Sequence, residues 1–409
     1  MPKQGMTPTA KFTLLSCLYF SQGLPYGFFS QVLPVVMRED NVSLPNIGLT
    51  SLLALPWMLK FMWAPLVDTY GHEGIGRRKS WILGLQACAV LMFASIGLFG
   101  SDQGLMPLII AYLLANLISA TQDIATDGLA VNLLEPHERG FGNGLQVAAY
   151  RLGMILGGGA ILVLLAHSPR HVSFLVISLC LLLATLPLFR YREPPRLFTP
   201  RQRPTMSLLS DFLRRPGILL WLSMIGFYKF GDAMTSKMLR PFLVDMEWSK
   251  TAIGSFNALG STGGLVGALV GGVLVRYWGR YRSIVIFGFI QAAGVFGYYL
   301  ICRHYLPTSW LFTVGFMEHF TGGMATAALF TAMMDVCKAD SSATDYTVQA
   351  SVVVMTTGVA SALSGFSAEH LGYQNNFLVS GVLCIIGAVW FAVCYRKQGG
   401  HKDAFSLST

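Results

Sequence analysis

The chain has 409 residues, 53% of them hydrophobic and only 12% charged, with a mean hydropathy of +0.55. A soluble domain carries roughly 25% charged residues, so a water-soluble enzyme is excluded, and apolar runs far longer than a barrel strand exclude a transmembrane β-barrel. The net charge of +9 does not point to nucleic acid, because the basic residues sit in short stretches between apolar runs, where a membrane accounts for them.

Twelve spans are predicted in chain order, near residues 12–37, 46–67, 80–100, 106–134, 141–166, 172–190, 217–243, 252–275, 283–302, 309–336, 346–368 and 376–395. The first follows Lys3 and Lys11 and is too long for a signal peptide, so it is read as a retained span. The stretch "RYREPPRLFTPRQRPTMSLLSDFLRRP", residues 190–216, carries Arg190, Arg192, Arg196, Arg201, Arg203, Arg214 and Arg215 with several prolines. It reads as a linker at 191–216 between a six-helix half, 1–190, and a second half, 217–409, with a short tail. The same side of the membrane also receives Lys3, Lys11, Arg77, Arg78, Lys79, Arg139, Arg276, Arg280, Arg282, Lys338, Arg396, Lys397 and Lys402. The opposite loops hold only Arg38, Arg170, Lys250 and Arg303, so both termini and the linker are placed in the cytoplasm. The halves echo each other: "LVDTYGHEGIGRRKSWILG" after span 2 matches "LVRYWGRYRSIVIFG" after span 8. Spans 5 and 11 are both rich in small residues, which let helices approach closely. Two six-span repeats joined by a basic loop are a transporter architecture.

Span 1, "YFSQGLPYGFFSQVLP", combines Gly23, Pro25 and Pro34 with Gln22, Tyr26 and Gln31. The break is read either as a structural kink or as a kink that also lines the solute path. In span 4, Asp123 and Asp127 lie one turn apart on a lipid-length helix. Asp123 stands as far before the turn near residue 137 as Arg151 stands after it, about 20 Å along each helix at 1.5 Å per residue. The two are therefore expected to pair, with a structural or a gating role, and Asp127 to cap the pair or line the inner mouth. Lys60, Asp127, Arg240 and Asp335, near span ends, are read first as snorkelling to the interface.

In span 7, "GFYKFGDAMTSKMLRPF" sets Lys229 and Asp232 on one helical face. They are candidates for substrate or proton contact, with structural pairing as the alternative. In span 10, Glu318 lies mid-span without an obvious basic partner in its own helix and is the first candidate for a proton carrier. His319 is expected to face about 100° away, as successive residues do at 3.6 per turn, and so to form a separate site. The seven cysteines show no metal or disulfide spacing and read as buried packing, the eight histidines are dispersed, and no phosphate-binding loop is present. No enzyme chemistry, metal or cofactor is expected; the expected partners are an organic solute, protons and lipid.

"WAPLVDTYGHEGIGRRK" resembles the loop 2–3 signature of the major facilitator superfamily, with Asp68, Arg77 and Arg78 in its acidic and basic places. It departs from the usual form in lacking the glycine that precedes the acid and in a looser loop. With "SQGLPYG", "KFMWAPLVD", "ATQDIATD", "ERGFGNGLQVAAYRLGM" and "YKFGDA", the chain resembles the branch holding AmpG-type muropeptide permeases, acetyl-coenzyme A transporters and RhtX/FptX-type siderophore permeases. The resemblance implies an all-α major facilitator fold of twelve helices in two six-helix halves. It also implies a monomeric, proton-coupled importer in a bacterial inner membrane, with Asp68, Arg77 and Arg78 as a conformational loop. Chain length and the "SQGLPYGFF" start are closer to the siderophore permeases, so an iron–siderophore is the expected solute, with a cell-wall anhydromuropeptide or an acyl-coenzyme A as alternatives.

Overall fold

A computed structural model describes residues 6–33, 37, 55–72, 74–100, 105–194 and 205–397. Pro34, Arg38, Arg196, Arg201, Arg203, Lys3 and Lys402, and residues 46–54 of the second expected span, lie outside them. The described chain is helical, with no strand among the described residues. Helix α1 (Pro8–Gly27) runs on into a wider π turn at Phe28–Val32, directly after the helix-internal Pro25. Then come α2 (Leu55–Leu59), α3 (Ala64–Thr69), α4 (Arg77–Ser95), α5 (Leu105–Leu133) and α6 (Arg139–Ile155). A second π turn at Leu156–Ala160 leads into α7 (Ile161–His167) and α8 (Arg170–Arg190). The rest is α9 (Ser207–Leu213), α10 (Ile218–Tyr228), α11 (Phe230–Asp245), α12 (Lys250–Trp278), α13 (Arg280–Cys302), α14 (Leu311–Asp335) and α15 (Ser342–Lys397).

Seven helical segments among the described residues are long and apolar enough to cross a membrane on their own. The last, Ala339–Tyr395, covers the two final expected spans, divided where Gly372 takes φ 76° and ψ 162°. The seventh expected span is likewise divided, at Lys229, which sits between α10 and α11 with φ −98° and ψ 1°.

The chain forms two compact units. Unit 1 comprises Met1–Leu134, Ala149–Ser210 and Ala339–Val348; unit 2 comprises Glu135–Ala148, Asp211–Lys338 and Gln349–Thr409. In unit 1, α1 packs on α5 and α8, and α4 packs on the same two helices, around Phe28, Phe29, Phe93, Phe174 and Ile177. Helix α8 shows the logic of a lipid-facing helix. Ile177, Leu181 and Leu188 are buried, while Leu179, Leu182, Leu183 and Leu186 on the other side are 46–55% exposed. A helix that is apolar on its inner and outer faces alike fits a packed core on one side and lipid on the other.

Small residues decide which helices touch. On α1, Gly23 and Gly27 abut the backbones of Tyr150 and Met154, and in return Gly153 and Gly157 meet the carbonyls of Phe20 and Leu24. In unit 2, Gly263, Gly267 and Gly271 of α12 lie against Phe316, Phe320 and Met324 of α14. The expectation for span 5 is therefore met. Span 11 differs: a Cβ on Gly358 or Gly365 would meet nothing within 4 Å. Among the cysteines, Cys384 and Cys394 are buried as expected, but Cys88 is exposed.

A Cβ at Gly267 would fall 1.9 Å from the Phe320 carbonyl oxygen. Gly267→Ala is expected to destabilise the protein by about 1–3 kcal/mol through overpacking. Gly358→Ala, in open space, should stay within about 0.5 kcal/mol of wild type or gain from helix propensity. Thermal unfolding in detergent compares the two.

Candidate functional site

Unit 1 holds a buried charge cluster where α1, α5 and the segment after α2 meet. Lys60 forms an ion pair with Asp123, and its ammonium also lies 5.3 Å from the centroid of the Trp57 ring. Lys60 is only 2% exposed. One turn on, Asp127 Oδ1 accepts a 2.7 Å hydrogen bond from the Tyr19 hydroxyl of α1. These positions correct two expectations. Asp123 pairs with Lys60 rather than with Arg151, because residues 60–62 form a tight 3-10 turn that carries the lysine inward onto α5. Lys60 and Asp127 do not snorkel; both are buried and engaged inside the bundle.

The rest of span 1 surrounds this cluster. Tyr26 stands edge-on to Trp57 at 6.5 Å between centroids and 6.0 Å from Tyr150. The Trp57 indole N–H donates to Asn116 Oδ1 at 3.0 Å, which fixes the ring. Gln22 is 1% exposed, and neither its amide oxygen nor its nitrogen has a hydrogen-bond partner among the described residues. Gln31 rests on Gly158 in the facing π turn, where a Cβ would fall 2.4 Å from its amide carbon.

The conformational loop is also built within unit 1. Arg78 forms a fully buried ion pair with Asp68 and donates to the Val67 carbonyl at 2.9 Å and to Ser342 Oγ at 3.1 Å. Arg77 donates to the Asp68 carbonyl. Asp68 Oδ2 accepts from both the backbone N–H and the hydroxyl of Thr344, each at 2.6 Å. Thr344 is in the first turn of α15, so the carboxylate supplies an anion to a helix N-terminus with unmet N–H groups. Asn132 donates to Ser342 Oγ, which donates in turn to the Gly128 carbonyl. On the other side of the loop, Glu193 accepts from the backbone N–H groups of Arg78 and Lys79 at 2.9 Å and so caps α4. Burial, with Glu193 beside it, holds the Tyr191 phenol above its ordinary range.

Unit 2 brings together two constellations that the sequence keeps 86 residues apart, from Asp232 to Glu318. Lys229 and Asp232 form an ion pair at 2.5 Å. Asp232 in turn lies beside the part of α14 that carries Glu318. The built position of a Cβ on Gly322, one turn from Glu318, lies 3.7 Å from Asp232 Oδ1 and 3.1 Å from Gln291 Nε2. His319 does not form a separate site. Its Nδ1 is 2.6 Å from Glu318 Oε2 and 3.0 Å from the Gly315 carbonyl, because the ring folds back over its own helix. Glu318 therefore has a basic neighbour in its own helix after all, contrary to the sequence expectation. Lys237 and Arg240 are exposed. Asp335 does not snorkel either: it joins Arg139 at 2.7 Å and Arg280 at 2.8 Å, while Arg280 also reaches the Pro136 carbonyl.

Sequence reasoning missed Tyr19, Trp57, Glu193, Gln291 and Thr344 as partners and misread Lys60. The available signal for Lys60 was "WMLKFMW", a lysine between two tryptophans inside an apolar run. Breaking a buried pair leaves an uncompensated charge at about 3–5 kcal/mol. Asp123→Asn alone is therefore expected to lower stability, and Lys60→Met with Asp123→Asn to recover much of the loss. Arg151→Gln combined with Asp123→Asn should be additive to within about 0.5 kcal/mol, as for residues that share no direct bond. Denaturation of the single and double variants in detergent measures the coupling.

With this geometry in view, comparison with known proteins is consistent across sequence and fold. The Major Facilitator Superfamily profile matches residues 15–303 and 230–407. The anhydromuropeptide permease of Escherichia coli K12 is 29% identical over 390 residues, covering 93% of this chain and 79% of the permease. An uncharacterized protein of Haemophilus influenzae is 30% identical over 420 residues, covering 97% of both chains. A putative transporter AmpG 4 of Rickettsia conorii is 24% identical over 89% of this chain and 91% of its own length. In fold, the crystal structure of the human organic anion transporter MFSD10 (TETRAN) superposes with a TM-score of 0.70 at 13% identity, covering 96% of this chain and all of the other. A bacterial homologue of the iron transporter ferroportin gives 0.67 at 16% identity, covering 94% and 98%. The chain is a multi-pass, all-α membrane transporter that belongs to the Major Facilitator Superfamily.

Proposed function

We propose that this transporter imports anhydromuropeptides released from the cell wall, driven by protons, across a bacterial inner membrane with both termini in the cytoplasm. The observation that carries the substrate is the similarity to anhydromuropeptide permeases along nearly the whole chain. The siderophore expected from chain length gains no such support, since the likeness to the ferroportin homologue is one of fold at 16% identity. The protein acts as a monomer by alternating access, and the loop of Asp68, Arg77 and Arg78 is its conformational latch. Opening that latch separates the Asp68 carboxylate from the start of α15, so the ion pair with Arg78 is what keeps Asp68 from being left alone.

The proton site is the cluster of Lys229, Asp232, Glu318 and His319. Two carboxyl groups that face each other away from water repel when both are ionised, so a single proton shared between them relieves the repulsion. Lys229 pairs with Asp232, and Glu318 is the group that loads and releases the proton. His319, against the same carboxyl, is the relay on its exposed side. Lys229 is also available to an acidic solute that arrives at Asp232. In unit 1, Asp123, Asp127 and Lys60 are the gating group, with Arg151 on the facing helix.

Uptake of a radiolabelled anhydromuropeptide into proteoliposomes tests the reading. Accumulation is expected only with an inward proton gradient, and a ferric siderophore in the same vesicles is expected to stay outside; the reverse selectivity overturns the substrate. Glu318→Gln is expected to abolish gradient-driven accumulation while counterflow exchange survives. A Glu318→Gln protein that still concentrates solute removes Glu318 from the coupling step.

A further inference from the structure

Unit 2 buries an amide donor that the protein leaves unused. Gln291 of α13 is 2% exposed, and its Nε2 has no hydrogen-bond partner among the described residues. An amide nitrogen carries two N–H donors, and leaving them unmet away from water is costly. Native proteins keep few such groups, and each calls for a reason.

The surroundings of this amide supply one. Helix α13 packs on both α11 and α14. Gly322 of α14 faces the other two helices together: a Cβ there would lie 3.1 Å from Gln291 Nε2 and 3.7 Å from Asp232 Oδ1. With no side chain at residue 322, the flexible glutamine can reach that oxygen directly or through one water. Lys229 takes the other carboxylate oxygen, Oδ2, at 2.5 Å. Asp232 therefore has a cation on one oxygen and a vacant donor near the other. The Tyr228 hydroxyl, four residues before Asp232, is already spent on the Ile284 carbonyl at 2.8 Å.

We propose that Gln291 is a reserve partner for Asp232, taking the carboxylate when Lys229 lets go. A buried carboxylate that loses its cation is strongly destabilising, so Lys229 can leave Asp232 only if another donor replaces it. With Gln291 in reserve, Lys229 is released to the solute. This use in transport rests on the anhydromuropeptide reading, and the group that draws Lys229 away is a free carboxylate of the solute's peptide. Gln291 is a positioning residue, since it acts through Asp232 and not on the solute.

The first test needs no solute. Full-length variants in nanodiscs are compared by melting temperature at pH 8. Gln291→Met alone is expected to melt at or above wild type, since an unmet polar group is removed. Lys229→Met with Gln291→Met should melt at least about 3 °C below the additive value of the two single changes, because both partners of Asp232 are gone. Adding Asp232→Asn should remove that excess loss. A double variant too unstable to purify supports the proposal if the triple variant can be purified, and overturns it if the triple is no better. The second test is counterflow in proteoliposomes, where Gln291→Met is expected to raise the half-saturating concentration of anhydromuropeptide about tenfold, as for one charged hydrogen bond. If the melting temperatures are additive while wild type carries anhydromuropeptide, the reserve partner is wrong and the function stands. If the coupling is present but wild type carries no anhydromuropeptide, the partner stands and the function falls. Coupling with an unchanged half-saturating concentration overturns the role of Gln291 in transport.

Discussion

Every charge that this protein keeps at membrane depth has to be met from within, because hydrocarbon offers neither counterions nor hydrogen bonds. The Lys60–Asp123 pair shows what this demands. The lysine comes from a short turn between two helical pieces, and the acid from the middle of a 29-residue helix. Their pairing therefore ties the irregular segment after α2 to α5, and the Trp57 ring with its Asn116 bond locks the turn in place. Asp127 extends the same tie to α1 through Tyr19. The position of span 1, with its proline and π turn, follows from that bond as much as from the glycine contacts to Tyr150 and Met154.

The same constraint, applied at the ends of helices, explains the loop of Asp68 and Arg78. A helix start has N–H groups without intrahelical acceptors. Asp68 meets those of α15, and Glu193 meets those of α4. Each acid is held by a positive or donor-rich neighbour, so the loop is a set of reciprocal caps rather than a surface salt bridge. Such an arrangement is stable when formed but breaks as a unit, because losing Arg78 strands Asp68 and losing Asp68 strands both Arg78 and the N-terminus of α15. That all-or-none character suits a latch.

Unit 2 uses its acids differently. Asp335, near a helix end, is saturated by Arg139 and Arg280, and its chemistry is structural. Asp232 and Glu318 each have one basic neighbour, Lys229 on the first and the partly exposed His319 on the second. Lys229 stands at the break between α10 and α11, three residues before Asp232, the spacing that sets two side chains on one helical face.

The class, the family and most helix positions were legible in the sequence because they depend on local properties: hydropathy over a span, arginine and lysine between spans, and short motifs around Asp68 and Asp232. The break in α15 was legible as well, since a polar, glycine-containing stretch marks it at Gly372. Pairing was not. Equal depth on two antiparallel helices made Arg151 a reasonable partner for Asp123, but depth says nothing about rotation around each helix axis or about a third segment folding inward. Lys60 won because its backbone turns out of regular helix, a feature no periodicity records. His319 failed for a related reason: a 100° offset at Cβ does not fix where a flexible ring ends, and the ring swung back to Glu318. The sequence by itself determined a membrane-spanning helical transporter and the few charges on which it depends. Only the tertiary structure decided which charges meet, because a pair 63 residues apart is set by helix rotation and packing, and neither is written in the spacing of residues along the chain.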